Sequence, residues 1–109
     1  WQIELDSENT VLSSDIVASG FQGPEGLALD NEGRLLIVEA GNEVNQLSRY
    51  DFKTKESTVI ATGLDLFGPG LGSPLTWGFD GVAVGASGDI YISGAGTTVI
   101  HKISQNKVR

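Results

Sequence analysis

The chain has no cysteine and no methionine, a single histidine and three prolines in 109 residues. Without cysteine no disulfide holds the fold, and the redox compartment stays open. Without methionine the chain does not begin at its own initiator, so it reads as processed or, preferably, as an excerpt of something longer. Basic residues are also scarce and scattered. Seven of them against fourteen acidic residues leave a net charge of −7, which argues against a nucleic-acid or anionic-membrane partner. No apolar run approaches the roughly 18 residues of a membrane helix, residues 35–38 being typical of the longest, so no membrane insertion is expected. No signal peptide is visible at the start, and localisation is left open. No stretch carries apolar residues at i, i+3, i+4 and i+7 for three turns, which predicts almost no helix. No Gly-Lys-Ser/Thr follows any glycine, so there is no phosphate loop. The length fits one domain whose core is marginal for a lone two-sheet array.

What is present is repetition. Residues 23–41 have a second copy at 79–96, with Gly26/Gly81, Gly33/Gly88 and Gly41/Gly96 each 55 residues apart. A repeated unit cannot bury its apolar face alone, so an internal repeat decides architecture early. In both copies two large residues flank a small one: Leu27, Ala28, Leu29, then Val82, Ala83, Val84. A strand hemmed in by a neighbouring surface needs that small residue. Residues 30–33 and 85–88 then read as tight hairpin turns with glycine available for positive φ. Residues 35–38 and 90–92 are the return strands. A third strand is expected near 46–51, matched by 100–103, and a fourth over 57–62.

The fourth segment has its own echo: residues 60–64 match 17–21, 43 residues apart, and Tyr50-Asp51 resembles Leu5-Asp6. The difference between 55 and 43 is an insertion of 12 residues between Leu64 and Gly78. The unit is therefore four strands in about 43 residues, the length of a propeller blade. The expected organisation is a single all-β propeller segment. Residues 1–20 are the last two strands of a blade, 24–63 a full blade, 64–78 an insertion loop, and 79–105 the first three strands of the next blade. Two unrelated hairpins in a sandwich, or a solenoid, are the alternatives. Two and a bit blades cannot close alone, so the rest of a propeller or self-association must hide the sheet edges. Of these the excerpt is preferred, because an assembled ring leaves a surplus strand per chain.

Residues 23–42, with Gly23-Pro24-Glu25-Gly26 and Gly33-Arg34, resemble the repeat of NHL-type propellers. They are also similar to the wider group of senescence-marker-protein-30, gluconolactonase and strictosidine-synthase-like six-bladed propellers, as residues 79–96 are to its Asp-Gly blades. These repeats serve enzymes and binding scaffolds alike. The resemblance implies antiparallel four-stranded blades, six to the ring. In the lactonases of the group one divalent metal sits in the central channel, held by a Glu, an Asp and Asn side chains. Glu25 matches the Glu and Asp80 the Asp, each just before its repeat glycine. The shared register makes them equivalent positions on adjacent inner strands, facing one channel mouth. Such a pair suits Ca²⁺ or another divalent cation. By the same resemblance Asp80 is the catalytic candidate, accepting a proton from the attacking water. The sequence departs from the enzymes in two respects. No Asn ligands can be placed, and their two acidic residues do not come from neighbouring blades.

The insertion is the second candidate region. Phe67, Leu71, Leu75 and Trp77 are large and apolar in what reads as an exposed loop on the ligand-binding face, or as a lid folded over the channel. His101 is expected at the surface beside Lys102, away from the channel, so no Ser-His-Asp arrangement is available. Glu39 and Glu43 flank Ala40-Gly41-Asn42 and are expected to be solvated. The preferred function is a binding or interaction module for a small molecule or protein, using the channel mouth and the loop. The alternative is a Ca²⁺-dependent, lactonase-like hydrolase with its ion in the central channel.

Overall fold

The computed structural model describes residues 1–8, 11–41, 44–66, 80–94 and 99–104. These form nine strands and no helix: β1 (Gln2–Leu5), β2 (Val11–Asp15), β3 (Pro24–Leu29), β4 (Leu35–Gly41), β5 (Val44–Asp51), β6 (Glu56–Thr62), β7 (Gly81–Val84), β8 (Ile90–Ser93) and β9 (Ile100–Ile103). They pair into three antiparallel sheets with sequence-neighbouring strands side by side: β1-β2, β3-β4-β5-β6 and β7-β8-β9. The all-β expectation is met.

The turns explain why the strands form where they do. In the β3–β4 turn Asp30 N donates to Arg34 O at 2.8 Å and Gly33 N to Asp30 O at 3.0 Å. The β7–β8 turn repeats this pair, from Gly85 N to Asp89 O and from Gly88 N to Gly85 O, both at 2.9 Å. Gly33 and Gly88 have φ of 77° and 90°, where a Cβ is strained and glycine is not. Aspartate side chains tie several turns as well. Glu8 N donates to Asp6 Oδ1, Glu32 N to Asp30 Oδ1 and Lys53 N to Asp51 Oδ1. The likeness of Leu5-Asp6 to Tyr50-Asp51 is thus a shared side-chain-capped turn.

Strand β4 runs through the middle of the larger sheet, and Leu36 to Ala40 are buried on both of its faces. A near-continuous apolar run is what a doubly covered strand requires. Leu36, Val38 and Leu47 pack against Ile90 and Ile92 of the third sheet, and these five form the core. Ile60, Ala61, Leu64, Leu66, Val82, Val84 and Ile103 close around them.

The opposite side of the larger sheet is barer: Leu27 and Leu29 are 62% and 60% exposed. The pleat explains the large-small-large pattern. Gly26 and Ala28 point to one side of β3, toward the third sheet, and the two leucines to the other.

Strand β2 ends at Asp15, which pairs with Gln2 of β1.

Burial sets a clear contrast in stability. Leu36→Ala should cost about 2–5 kcal/mol, because it empties a fully enclosed site. Leu27→Ala should stay within about 0.5 kcal/mol. Urea unfolding of the two variants tests the assignment, and equal costs would refute it.

Candidate acidic site between two sheets

Glu25 and Asp80 come together at the junction of the second and third sheets. Each reaches that place through its backbone. In β3, Pro24 pairs with Glu39 and Gly26 with Val38, so Glu25 is the extra residue of a bulge. A bulge re-aims the side chain it carries. Asp80 lies immediately before β7 and is only 3% exposed. Gly26 allows the approach: a Cβ there would stand 2.7 Å from the Asp80 carbonyl oxygen. No real Cβ tolerates that distance to backbone.

The electrostatics follow from the geometry. Burial, then a hydrogen bond and the charge of Asp80, push the Glu25 carboxyl up to about 7, against a partial offset from the Asp80 backbone. Glu25 Oε2 is buried without a hydrogen-bond partner. A buried carboxylate oxygen in that state is a site for a proton, a cation or a donor group. The structure therefore brings together the two positions that the 55-residue register selects. Among the described residues no group of three or more acidic, histidine or cysteine side chains forms around them.

A second acid lies close by, and there the sequence reading fails. Glu39 is not solvated: it is 3% exposed on β4. Its Oε1 accepts from Gln22 N at 2.8 Å, and its Oε2 accepts from Gln46 Nε2 at 2.8 Å and from Ser48 Oγ. Burial alone pushes this carboxyl up, but the donors from Ser48, Gln46 and Gln22 outweigh it and hold it below the usual range. The misleading signal is the Ala40-Gly41-Asn42 stretch, which looks like a loop. In fact β4 continues to Gly41, which pairs with Val44. The available signal was the uninterrupted strand from Leu35, which places Glu39 on the same face as Ile37. Glu43 lies outside the described residues.

His101 has a partner that the sequence did not indicate. It is half-buried on β9, and its Nε2 accepts from Asp65 N at 2.9 Å. It thereby fastens the segment after β6 to the third sheet. The proposed loop residues Phe67, Leu71, Leu75 and Trp77 lie outside the described residues. Leu64 and Leu66, just before them, pack on the core.

No protein-family model matches the chain, and no curated protein matches it at a significant level.

The raised Glu25 carboxyl makes stability depend on pH in a defined direction. The folded chain binds this proton up to about 7 and the unfolded chain only to 4.5, so stability falls as pH rises between those values. The loss should be on the order of 1 kcal/mol, allowing for solvent around a half-buried group. Melting temperature should drop from pH 5.5 to pH 8, and Glu25→Gln should flatten the slope. An unchanged slope in that variant would sink the assignment. Gly26→Ala should cost about 1–3 kcal/mol by pushing β7 away. A variant as stable as the parent would refute the close approach.

Proposed function

We propose that the chain is a segment of a β-propeller that acts as a binding module, with Glu25 and Asp80 as the ligand-contacting pair at the channel mouth. One observation carries the reading. Two carboxyls from equivalent positions of the repeat converge across adjacent sheets, and Glu25 Oε2 is buried with no hydrogen-bond partner. The blade reading is supported by a four-stranded meander followed by three strands that repeat its turns. It is supported too by exposed apolar side chains on both outer sides, Leu27 and Leu29 on one and Tyr91 and Ile100 on the other. Those faces suit an array continued by the rest of a propeller or by self-association.

Oxygen donors of this kind favour Ca²⁺ among the common divalent ions. Glu25 and Asp80 would hold it, leaving most of the roughly six to eight oxygens to water, to the ligand or to other residues. A bound cation would neutralise the two carboxyls and polarise an oxygen of a bound small molecule. The insertion remains part of the proposal. It spans residues 64–78, so Phe67, Leu71, Leu75 and Trp77 lie in chain order between the core-packed Leu64 and Leu66 and Asp80.

The second reading, a lactonase-like hydrolase, draws on the same pair. A carboxyl that keeps its proton to about 7 beside another carboxyl is an arrangement that acid–base chemistry uses. In that reading Asp80 accepts the proton of the attacking water.

Calorimetry with CaCl₂ tests both readings. Binding should be tighter at pH 8 than at pH 6, because the cation must displace the Glu25 proton. Glu25→Gln and Asp80→Asn should each weaken it about tenfold or more. Absence of binding by the wild-type chain at pH 8 removes the cation site and the hydrolase with it. Binding without turnover of a panel of sugar lactones leaves the binding module.

A further inference from the structure

Glu25 reaches Asp80 from a bulge, and a bulged residue is aimed only as well as its two flanks are fixed. The downstream flank is held by ladder pairing of Gly26 with Val38 and by the packing of Gly26 on the Asp80 carbonyl. The upstream flank needs its own ties. Pro24 is the last paired residue before the bulge, and next to it the backbone is tied by Ala40 N donating to Gly23 O. Something must also fix Gln22, one residue further upstream.

Glu39 does so. It lies opposite Pro24, and its Oε1 accepts the N–H of Gln22, two residues upstream of Pro24. The adjoining Gly23 carbonyl accepts Ala40 N at 2.9 Å. Gly23 and Gly41 touch so closely that a Cβ on Gly23 would stand 2.9 Å from the Gly41 Cα. The other carboxylate oxygen of Glu39 is anchored on the far side by Gln46 and Ser48 of β5. The side chain thus spans from β5 across β4 to the lead-in of β3. An apolar side chain would suit this buried run at least as well for stability, since buried charges are seldom the most stabilising choice. What a carboxylate adds is two oxygens facing opposite ways, one for each strand.

We infer that Glu39 is the positioning residue of the Glu25–Asp80 site, fixing the upstream end of the bulge through the Gln22 amide. This rests on the reading of that pair as the binding site. The side chain acts through the backbone of residues 22–24.

The test uses ¹⁵N-labelled protein and CaCl₂ as the probe. Glu39→Leu should remove the exchange protection of the Gln22 amide, shift the Glu25 and Asp80 backbone resonances, and weaken Ca²⁺ binding about tenfold. Glu39→Gln keeps a carbonyl oxygen for the Gln22 N–H and should restore resonances and affinity to within about threefold of wild type. Gln22→Pro deletes the donor while leaving Glu39, Gln46 and Ser48 intact. It should reproduce the shifts at residues 25 and 80 even if Glu39→Leu does not fold. Leu47→Ala, a core truncation, serves as the control for general loss of stability and should leave those resonances in place. The inference is overturned if Gln22→Pro leaves residues 25 and 80 unmoved, or if Leu47→Ala moves them equally. A wild-type chain that binds no Ca²⁺ ends the binding-site reading alone, since the resonance shifts still decide whether Glu39 positions the bulge.

Discussion

Gly26 has no Cβ, and the space where one would stand is taken by the carbonyl oxygen of Asp80. That close approach brings β7 against β3. Once β7 is there, Val82 and Val84 reach the core, and Ile90 and Ile92 on the next strand cover Leu36, Val38 and Leu47. The turns register as well, with Asn31 Nδ2 reaching Ala86 O at 3.5 Å across the 55-residue period. The same contact leaves residues 25 and 80 no choice but to be neighbours. Packing of the two sheets and juxtaposition of the two carboxyls are therefore one event.

Two glutamates of this region show how environment sorts like residues. Glu25 and Glu39 lie on adjacent strands, the first half-buried and the second buried. Glu39 has three donors and is held ionised, so it behaves as a fixed structural strut. Glu25 has a second carboxyl for a neighbour and an oxygen with no partner, so its proton is retained to about 7. The difference is one of donor supply. Ser48, Gln46 and the Gln22 amide supply Glu39, whereas the Asp80 backbone only partly offsets the burial and charge that act on Glu25. A satisfied carboxylate gives rigidity; an unsatisfied one gives an affinity still to be used.

Local physics made most of the strands legible in advance. Gly33 and Gly88 were readable as turn residues because positive φ is a property of the residue itself. The strands beside them followed from period-2 alternation. Glu25 and Asp80 were readable as a pair because a repeat carries position along with sequence. What escaped depended on partners distant in the chain. Glu39 looked solvated because its neighbours Ala40 and Gly41 resemble a loop, whereas its burial comes from Gln22, Gln46 and Ser48. The bond of His101 was not visible because its partner, the Asp65 amide, is 36 residues away.

The acidic pair has a cost that bears on how the fold is held. Docking the sheets removes Glu25 from water and sets it against a second carboxyl, and both effects oppose the docking that the core drives. The apolar contacts must exceed that penalty, and Leu36, Val38, Leu47, Ile90 and Ile92 do so with complete burial. Anything that binds the pair and not the separated sheets returns the penalty to the fold. At a hundred times its dissociation constant such a ligand adds about 2.7 kcal/mol. The proposed site, with one carboxyl from each side of the junction, would therefore also be a joint. Its occupancy and the docking of the third sheet on the second would be linked by the same free energy.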